Sequence, residues 1–233
     1  MPCTLPASLA DAAVCRGSFH AVLGGEVEDT AFADFSAALQ KAQAEGRILT
    51  ASLFRYENHL FFYAEGLNRP FTPQGLCPAL DAALLPWPPA LGEAEPRPWA
   101  AMQPYFYHDV PTTAADWQQG RCPQRRRGRI ALLPPDSWCS YMEHHLRIVT
   151  EGLVEGDRWH LICVQEGALF SYLEAPRPNV NIRHQPGAHS PELDAWIAAD
   201  PESHFARFTP EQKAHPDSGH NFVFLPRIAG TED

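Results

Sequence analysis

Part of this chain is written twice. Leu60-Phe61-Phe62-Tyr63-Ala64-Glu65 returns 109 positions on as Leu169-Phe170-Ser171-Tyr172-Leu173-Glu174, with four of six residues identical, and Glu57 and Glu166 keep the same offset. Pro78-Ala79-Leu80-Asp81-Ala82 returns as Pro191-Glu192-Leu193-Asp194-Ala195, four of five identical, with the offset grown to 113 by an insertion. Two matches in the same order read as a tandem duplication. That constrains the fold strongly, because a repeated unit is one that cannot bury its hydrophobic face alone. The 233 residues then divide into repeats 1–116 and 117–233.

Each copy carries the same succession of periodicities. In the first, Ser18 to Leu23 reads as a strand, Thr30 to Glu45 as a helix capped by Asp29 or Thr30, Ile48 to Tyr56 and Leu60 to Glu65 as a hairpin, Pro78 to Leu85 as a helix and Tyr105 to His108 as a closing strand. The matching elements of the second are Arg129 to Leu133, Ser137 to Glu151 with Asp136 or Ser137 as cap, Arg158 to Gln165, Ala168 to Glu174, Pro191 to Ala198 and Asn221 to Leu225. This is the βαββαβ ferredoxin-like order. The expected fold is α+β: two tandem ferredoxin-like repeats, each a four-stranded antiparallel sheet with helices on one face. The bare face of each sheet has to be covered, and the natural cover is the other copy, giving an intrachain pseudo-dimer of the dimeric α/β-barrel type. Pro111 to Arg127 reads as the connector.

Composition narrows the function classes. The 23 Pro, about twice the ordinary ~5% share, favour short elements over long bundles. A net charge of −10 repels phosphate backbones and anionic lipid. Arg121 to Arg129, with five Arg in nine positions, reads as a solvated linker rather than a nucleic-acid contact. The six Cys are scattered without zinc-like spacing and read as free thiols of a reducing compartment. Leu5 to Val14 lacks a basic flank and is interrupted by Pro6 and Asp11, and no segment approaches a membrane span. The expectation is a cytoplasmic protein with no nucleic-acid or membrane partner, a monomer containing its own pseudo-dimer or a weak homodimer.

The two copies differ most informatively in their first helix. With Glu45-Gly46 matched to Glu151-Gly152, Phe32 becomes Trp138, Phe35 becomes Tyr141, Ala38 becomes His144, Leu39 becomes His145 and Ala42 becomes Ile148. The hairpin offset would instead pair Tyr141 with Phe32 and His145 with Ser36. In either register a Phe has become Tyr141, with His145 one turn further on. A buried phenol and imidazole cost stability unless hydrogen-bonded, so the pair reads either as a satisfied polar contact or as a general acid/base pair. His144 could substitute for His145.

Tyr141-x-x-x-His145 in the first helix of a βαββαβ unit resembles the L-rhamnose mutarotase family, dimeric α/β-barrel proteins that interconvert sugar anomers without metal or cofactor. The resemblance spans most of Arg129 to Leu225 and, degraded, Gly17 to Asp109. It implies Tyr141 and His145 as catalytic residues and a 6-deoxy sugar such as L-rhamnose as substrate. Family members have paired Trp followed by Met along the sugar pocket. The second copy offers His204-Phe205-Ala206-Arg207-Phe208 there, while the first keeps Trp99 and Met102 but has Phe35 and Leu39 in the helix. Tyr172, Trp196 and Phe205 would supply aromatic platforms for the apolar face of such a sugar, with His144, Trp99 and Met102 as further binding candidates, each equally readable as core.

His184, His189, His204, His215 and His220 crowd the last fifty residues without ligand spacing, so no metal is expected. No dinucleotide fingerprint, P-loop or nucleophile elbow occurs. The alternatives to an isomerase are a non-catalytic ligand-binding or regulatory barrel and a cofactor-independent monooxygenase-like barrel.

Overall fold

A computed structural model describes residues 5–152, 154–176, 183–184, 186–213 and 218–231. The elements are β1 (Val14–Val22), α1 (Asp29–Ala44), β2 (Ile48–Tyr56), β3 (His59–Leu67), α2 (Pro78–Ala82), β4 (Ala100–Ala101), β5 (Gln103–Tyr107), α3 (Ala114–Gln118), β6 (Arg125–Leu132), α4 (Pro135–Glu151), β7 (Val154–Glu155), β8 (Leu161–Gln165), β9 (Ala168–Ala175), β10 (Arg183–His184), α5 (Pro191–Ala198), β11 (Val223–Leu225) and β12 (Arg227–Gly230). The fold is mixed α+β with two antiparallel five-stranded sheets, ordered β12-β2-β3-β1-β4 and β11-β6-β9-β8-β5, and a minor β7–β10 pair.

The chain divides into two units that are not simple halves. The first comprises Met1–Met102, Pro111–Pro123 and Pro226–Asp233, the second Gln103–Val110 and Gln124–Leu225. The closing strand expected at Tyr105 to His108 begins at Gln103 and pairs with β8, in the second sheet rather than the first. At the other end, β11 pairs with β6 and then, past Pro226, β12 pairs with β2 of the first sheet. Strand alternation shows which residues face a sheet's two sides, but cannot show which sheet the strand joins.

In the first unit, Phe35, Leu39 and Ala42 of α1 pack with Leu53, Leu60, Phe62, Leu80 and Trp99 in one apolar core. In the second, Tyr141 and Ile148 of α4 pack with Ile162, Val164, Leu169, Leu193 and Trp196. The buried positions 35, 39 and 42 thus match 141, 145 and 148, the register set by the helix ends. Gly46 and Gly152 close the two helices with φ of 68° and 66°, the left-handed turn that favours glycine. Glu57 and Glu166 take φ of 53° and 52° in the two hairpin turns. Neither expected cap forms: α1 starts at Asp29 behind Glu28, and α4 starts behind Pro134 at Pro135, a first position where a backbone N–H would have no partner within the helix and proline lacks one.

Away from the helices each sheet buries charge. Arg16 stands opposite Glu65 across β1 and β3, and Arg126 opposite Glu174 across β6 and β9. Tyr63 donates to Glu65 at 2.6 Å and Tyr172 to Glu174 at 2.7 Å. Arg121 grips Glu65 with two bonds, of 2.7 and 2.9 Å. The expected solvated connector is therefore corrected. Its Trp117 is fully buried, Arg121 is an ion-pair partner, and the Arg run enters β6, where Arg127 and Arg129 lie over the rings of Phe224 and Phe222. Strand alternation and nearby carboxylates gave those cations partners that a linear charge count cannot see.

Cys15, Cys77, Cys122, Cys139 and Cys163 are free thiols, and Cys3 lies outside the described residues. Among the described residues no helix is long and apolar enough to cross a membrane.

Ser190 caps α5, its Oγ accepting from the Leu193 N–H at 3.0 Å and donating to the Glu151 carboxylate at the end of α4. Ser190→Ala should remove about 1–2 kcal/mol and lower the thermal midpoint by roughly 2–8 °C, read by circular dichroism. An unchanged midpoint would show that the cap is energetically idle.

Candidate active site

The second unit contains a cavity of about 400 Å³. Its lining includes Tyr141 and His145 from α4, Trp196 and Leu193 from α5, Phe205 and Phe222 beyond it, and Phe106 from β5. Polar residues of the lining are Arg129, Asp157, His160, Glu202 and His108. Helical spacing puts Tyr141 and His145 on one face, and both are buried.

The His145 ring is fixed by its own helix. Its Nδ1 lies 2.9 Å from the Tyr141 carbonyl oxygen, which can only accept, so Nδ1 carries the proton and Nε2 keeps its lone pair. Burial lowers its pKa to about 4, with His144 and His204 pushing the same way and the Tyr141 carbonyl opposing. Burial raises the Tyr141 pKa far above its ordinary value, against the pull of Tyr105 and Arg129. Over the whole neutral range the imidazole is therefore a neutral acceptor and the phenol a neutral donor. The two rings stand 4.2 Å apart between centroids.

Aromatic edges hold this pair from several sides. Trp196 meets Tyr141 and His145 edge-on at 5.1 and 4.6 Å, and Phe205 meets Tyr141 at 4.9 Å. From β5, Tyr105 lies edge-on to His145 at 5.6 Å, and Phe106 to His145 at 4.9 Å. The strand behind the pair thus comes from the N-terminal half of the sequence.

Of the residues singled out from sequence, Tyr141, His145, Trp196 and Phe205 meet at this cavity. His144 lies one residue round the helix, partly exposed, with its ring 5.4 Å from Trp196 and outside the lining. Tyr172 belongs to the opposite face of its sheet, committed to Glu174. Trp99 and Met102 sit in the first unit. There Trp99 stacks with Phe35 and donates to Asp81 at 2.9 Å, so the space matching the cavity is filled by Phe35, Leu39, Phe62 and Trp99. The sequence reading missed Tyr105, Phe106, His108, Asp157 and His160. The pattern Tyr105-Phe106-Tyr107-His108 signalled a strand but not its sheet, and Asp157 and His160 are brought in by a loop with no local signature.

Among the described residues no cluster of three His, Cys, Asp or Glu could hold a metal ion. His215 is outside the described residues.

No family model matches the chain, and no curated protein matches it. Among solved structures it is similar to a "putative monooxygenase" from Lactobacillus acidophilus NCFM, at 6% identity over 94% of this chain and 96% of that chain, with a TM-score of 0.41. A second "putative monooxygenase", from Fusobacterium nucleatum subsp. nucleatum ATCC 25586, is similar at 9% identity over 95% of each chain, with a TM-score of 0.39.

Proposed function

We propose that this protein is a mutarotase-like isomerase that interconverts the anomers of a small sugar, such as a 6-deoxyhexose of the L-rhamnose type, by general acid/base catalysis. The observation that carries the reading is the His145 tautomer: Nε2 is held as a lone-pair base one helical turn from a phenol that stays protonated, in a cavity walled by aromatic rings. Environments that push two titratable groups apart assign the base and the acid.

The chemistry balances on these two groups. His145 Nε2 takes the proton of the anomeric hydroxyl as the C1–O1 bond becomes a carbonyl. The electron pair of the breaking C1–O5 bond goes to the ring oxygen, which takes the Tyr141 proton. Either transfer alone would leave a single ion in a buried site, so the two are concerted, and the open-chain stage holds imidazolium and phenolate together as an ion pair until reclosure. The aldehyde turns about C1–C2, and reclosure returns each proton to its donor. Trp196 and Phe205 would face the apolar side of the ring.

We also read the two units as tandem ferredoxin-like repeats of the dimeric α/β-barrel type that have exchanged their final strands. Supporting this, β4 and β11 hold the same place in the two sheet orders, as do β5 and β12, and Arg16–Glu65 matches Arg126–Glu174.

The test is NMR saturation exchange between α and β anomers across L-rhamnose and related 6-deoxy and parent hexoses, with acceleration expected for at least one. A panel without any acceleration would remove the enzymatic reading. The rate should stay flat from pH 8 to about pH 5 and be halved near pH 4, where the imidazole protonates. Stability follows the same group. Its folded pKa lies below the ordinary 6.5, so its contribution is complete above about pH 6.5 and is lost as pH falls toward 4.

A further inference from the structure

Beside its aromatic rings the cavity is lined by polar residues that the acid/base step does not use. His108, just past β5, lies so close over Gly156 that a Cβ there would come within 1.9 Å of its Nε2. Glycine is thus what lets this imidazole take its place. Asp157 follows, fully buried, and the backbone N–H of His160 turns back to its carbonyl at 3.0 Å. Phe106 collects the imidazoles: its ring meets His108 at 4.9 Å, His145 at 4.9 Å and His160 at 5.9 Å, all edge-on. The wall and the acid/base pair therefore share one aromatic hub and line one cavity.

The chemistry of the wall selects its ligand. Imidazoles donate and accept, and a carboxylate accepts, which matches hydroxyl groups. Apart from its histidines, the acidic and basic side chains of the lining are Asp157, Glu202 and Arg129, two carboxyl groups against one guanidinium. Arg129 lies over the Phe222 ring at 4.2 Å, and Glu202 accepts from the Asn221 amide. A phosphate or carboxylate brought into this space would meet Asp157 and Glu202 with one cation to offset them.

We propose that His108, seated on Gly156, forms with Asp157 a hydroxyl-reading wall that makes the cavity selective for an uncharged polyol over its phosphorylated or carboxylated counterparts. The orientation of the sugar, anomeric end toward Tyr141 and His145, rests on the acid/base reading; the selectivity of the wall does not.

A probe without an anomeric hydroxyl separates the two. 1,5-Anhydro-L-rhamnitol cannot mutarotate, so its binding to the full chain, measured by calorimetry or saturation-transfer NMR, reports on the cavity alone. It should bind, with hexose 6-phosphates and hexuronic acids at least about tenfold weaker than the parent hexoses, in keeping with the cost of an unmatched polar group in a recognition site. His108→Phe and Gly156→Ala should each weaken binding of the anhydro compound about tenfold, Gly156→Ala by displacing the imidazole without deleting it. If the wild type exchanges anomers, their effect should fall on KM more than on kcat.

Unchanged affinity in both variants, or a phosphorylated or acidic sugar bound as tightly as its neutral parent, would overturn the wall even if exchange is observed. Binding with these sensitivities but no exchange would uphold the wall and discard the isomerase. Absence of binding by every neutral sugar would overturn both. Circular dichroism melts of the two variants serve as the folding control, and because they perturb the same imidazole by different routes, a fold defect in one leaves the other decisive.

Discussion

His145→Ala is expected to slow anomer exchange by roughly 10²- to 10⁴-fold, the range in which a positioned general base contributes. The loss should appear in kcat, because the aromatic walls at Trp196, Phe205 and Phe106 remain. Tyr141→Phe should fall in the same range. In the proposed mechanism the two proton transfers are concerted, so the double variant should lose little more than either single one, as residues acting as a unit are strongly non-additive. The measurement is saturation exchange at pH 7 with a far-ultraviolet spectrum to confirm folding. A His145→Ala protein that exchanges anomers at the wild-type rate would remove this residue from the mechanism.

Arg121→Ala is expected to have the largest effect on stability. It deletes both hydrogen bonds to Glu65, whose side chain is completely buried, and leaves a carboxylate with Tyr63 still bonded to it. Breaking a buried pair from one side costs about 3–5 kcal/mol, a fall of roughly 6–20 °C in thermal midpoint for a chain of this size. The paired replacement Glu65→Leu with Arg121→Met should recover most of it, because the buried carboxylate leaves together with its bidentate partner, while half-buried Arg16 keeps its bond to the Tyr63 hydroxyl and its place over the Trp117 ring. Burial by itself raises the Glu65 pKa; the Arg121 charge and the hydrogen bonds from Arg121 and Tyr63 outweigh it and hold the carboxyl below its ordinary value. The pair therefore stabilises fully above the ordinary carboxyl range and fades as pH drops through the lower folded pKa. Midpoints measured from pH 7 down to pH 3 should converge for wild type and Arg121→Ala. A constant gap would show that Glu65 is not the titrating group.

The two matching segments were legible because packing preserves residue type. Leu60 to Glu65 and Leu169 to Glu174 repeat since both hairpins bury alternate side chains, and the Tyr and Glu of each copy make the same hydrogen bond. Tyr141 and His145 stood out for the converse reason, as polar replacements at positions where α1 keeps Phe35 and Leu39 for an apolar core. The choice between His144 and His145 depended on about 100° of helical rotation, and burial against Trp196 and Phe106 resolved it in favour of His145.

What the chain determined by itself was local: period-two and period-3.6 burial, the glycine stops at Gly46 and Gly152, and the appearance of Tyr141 and His145 in one helix where the other has Phe35 and Leu39. Tertiary structure decided the rest. It sent β5 and β12 to the sheets that the strands preceding them do not occupy, turned an Arg run into ion-pair partners, and set His108 over Gly156 beside the cavity. These are pairings between distant residues, fixed by complementary edges, charges and free volume. A linear pattern carries the capacity for each of them but not the choice of partner.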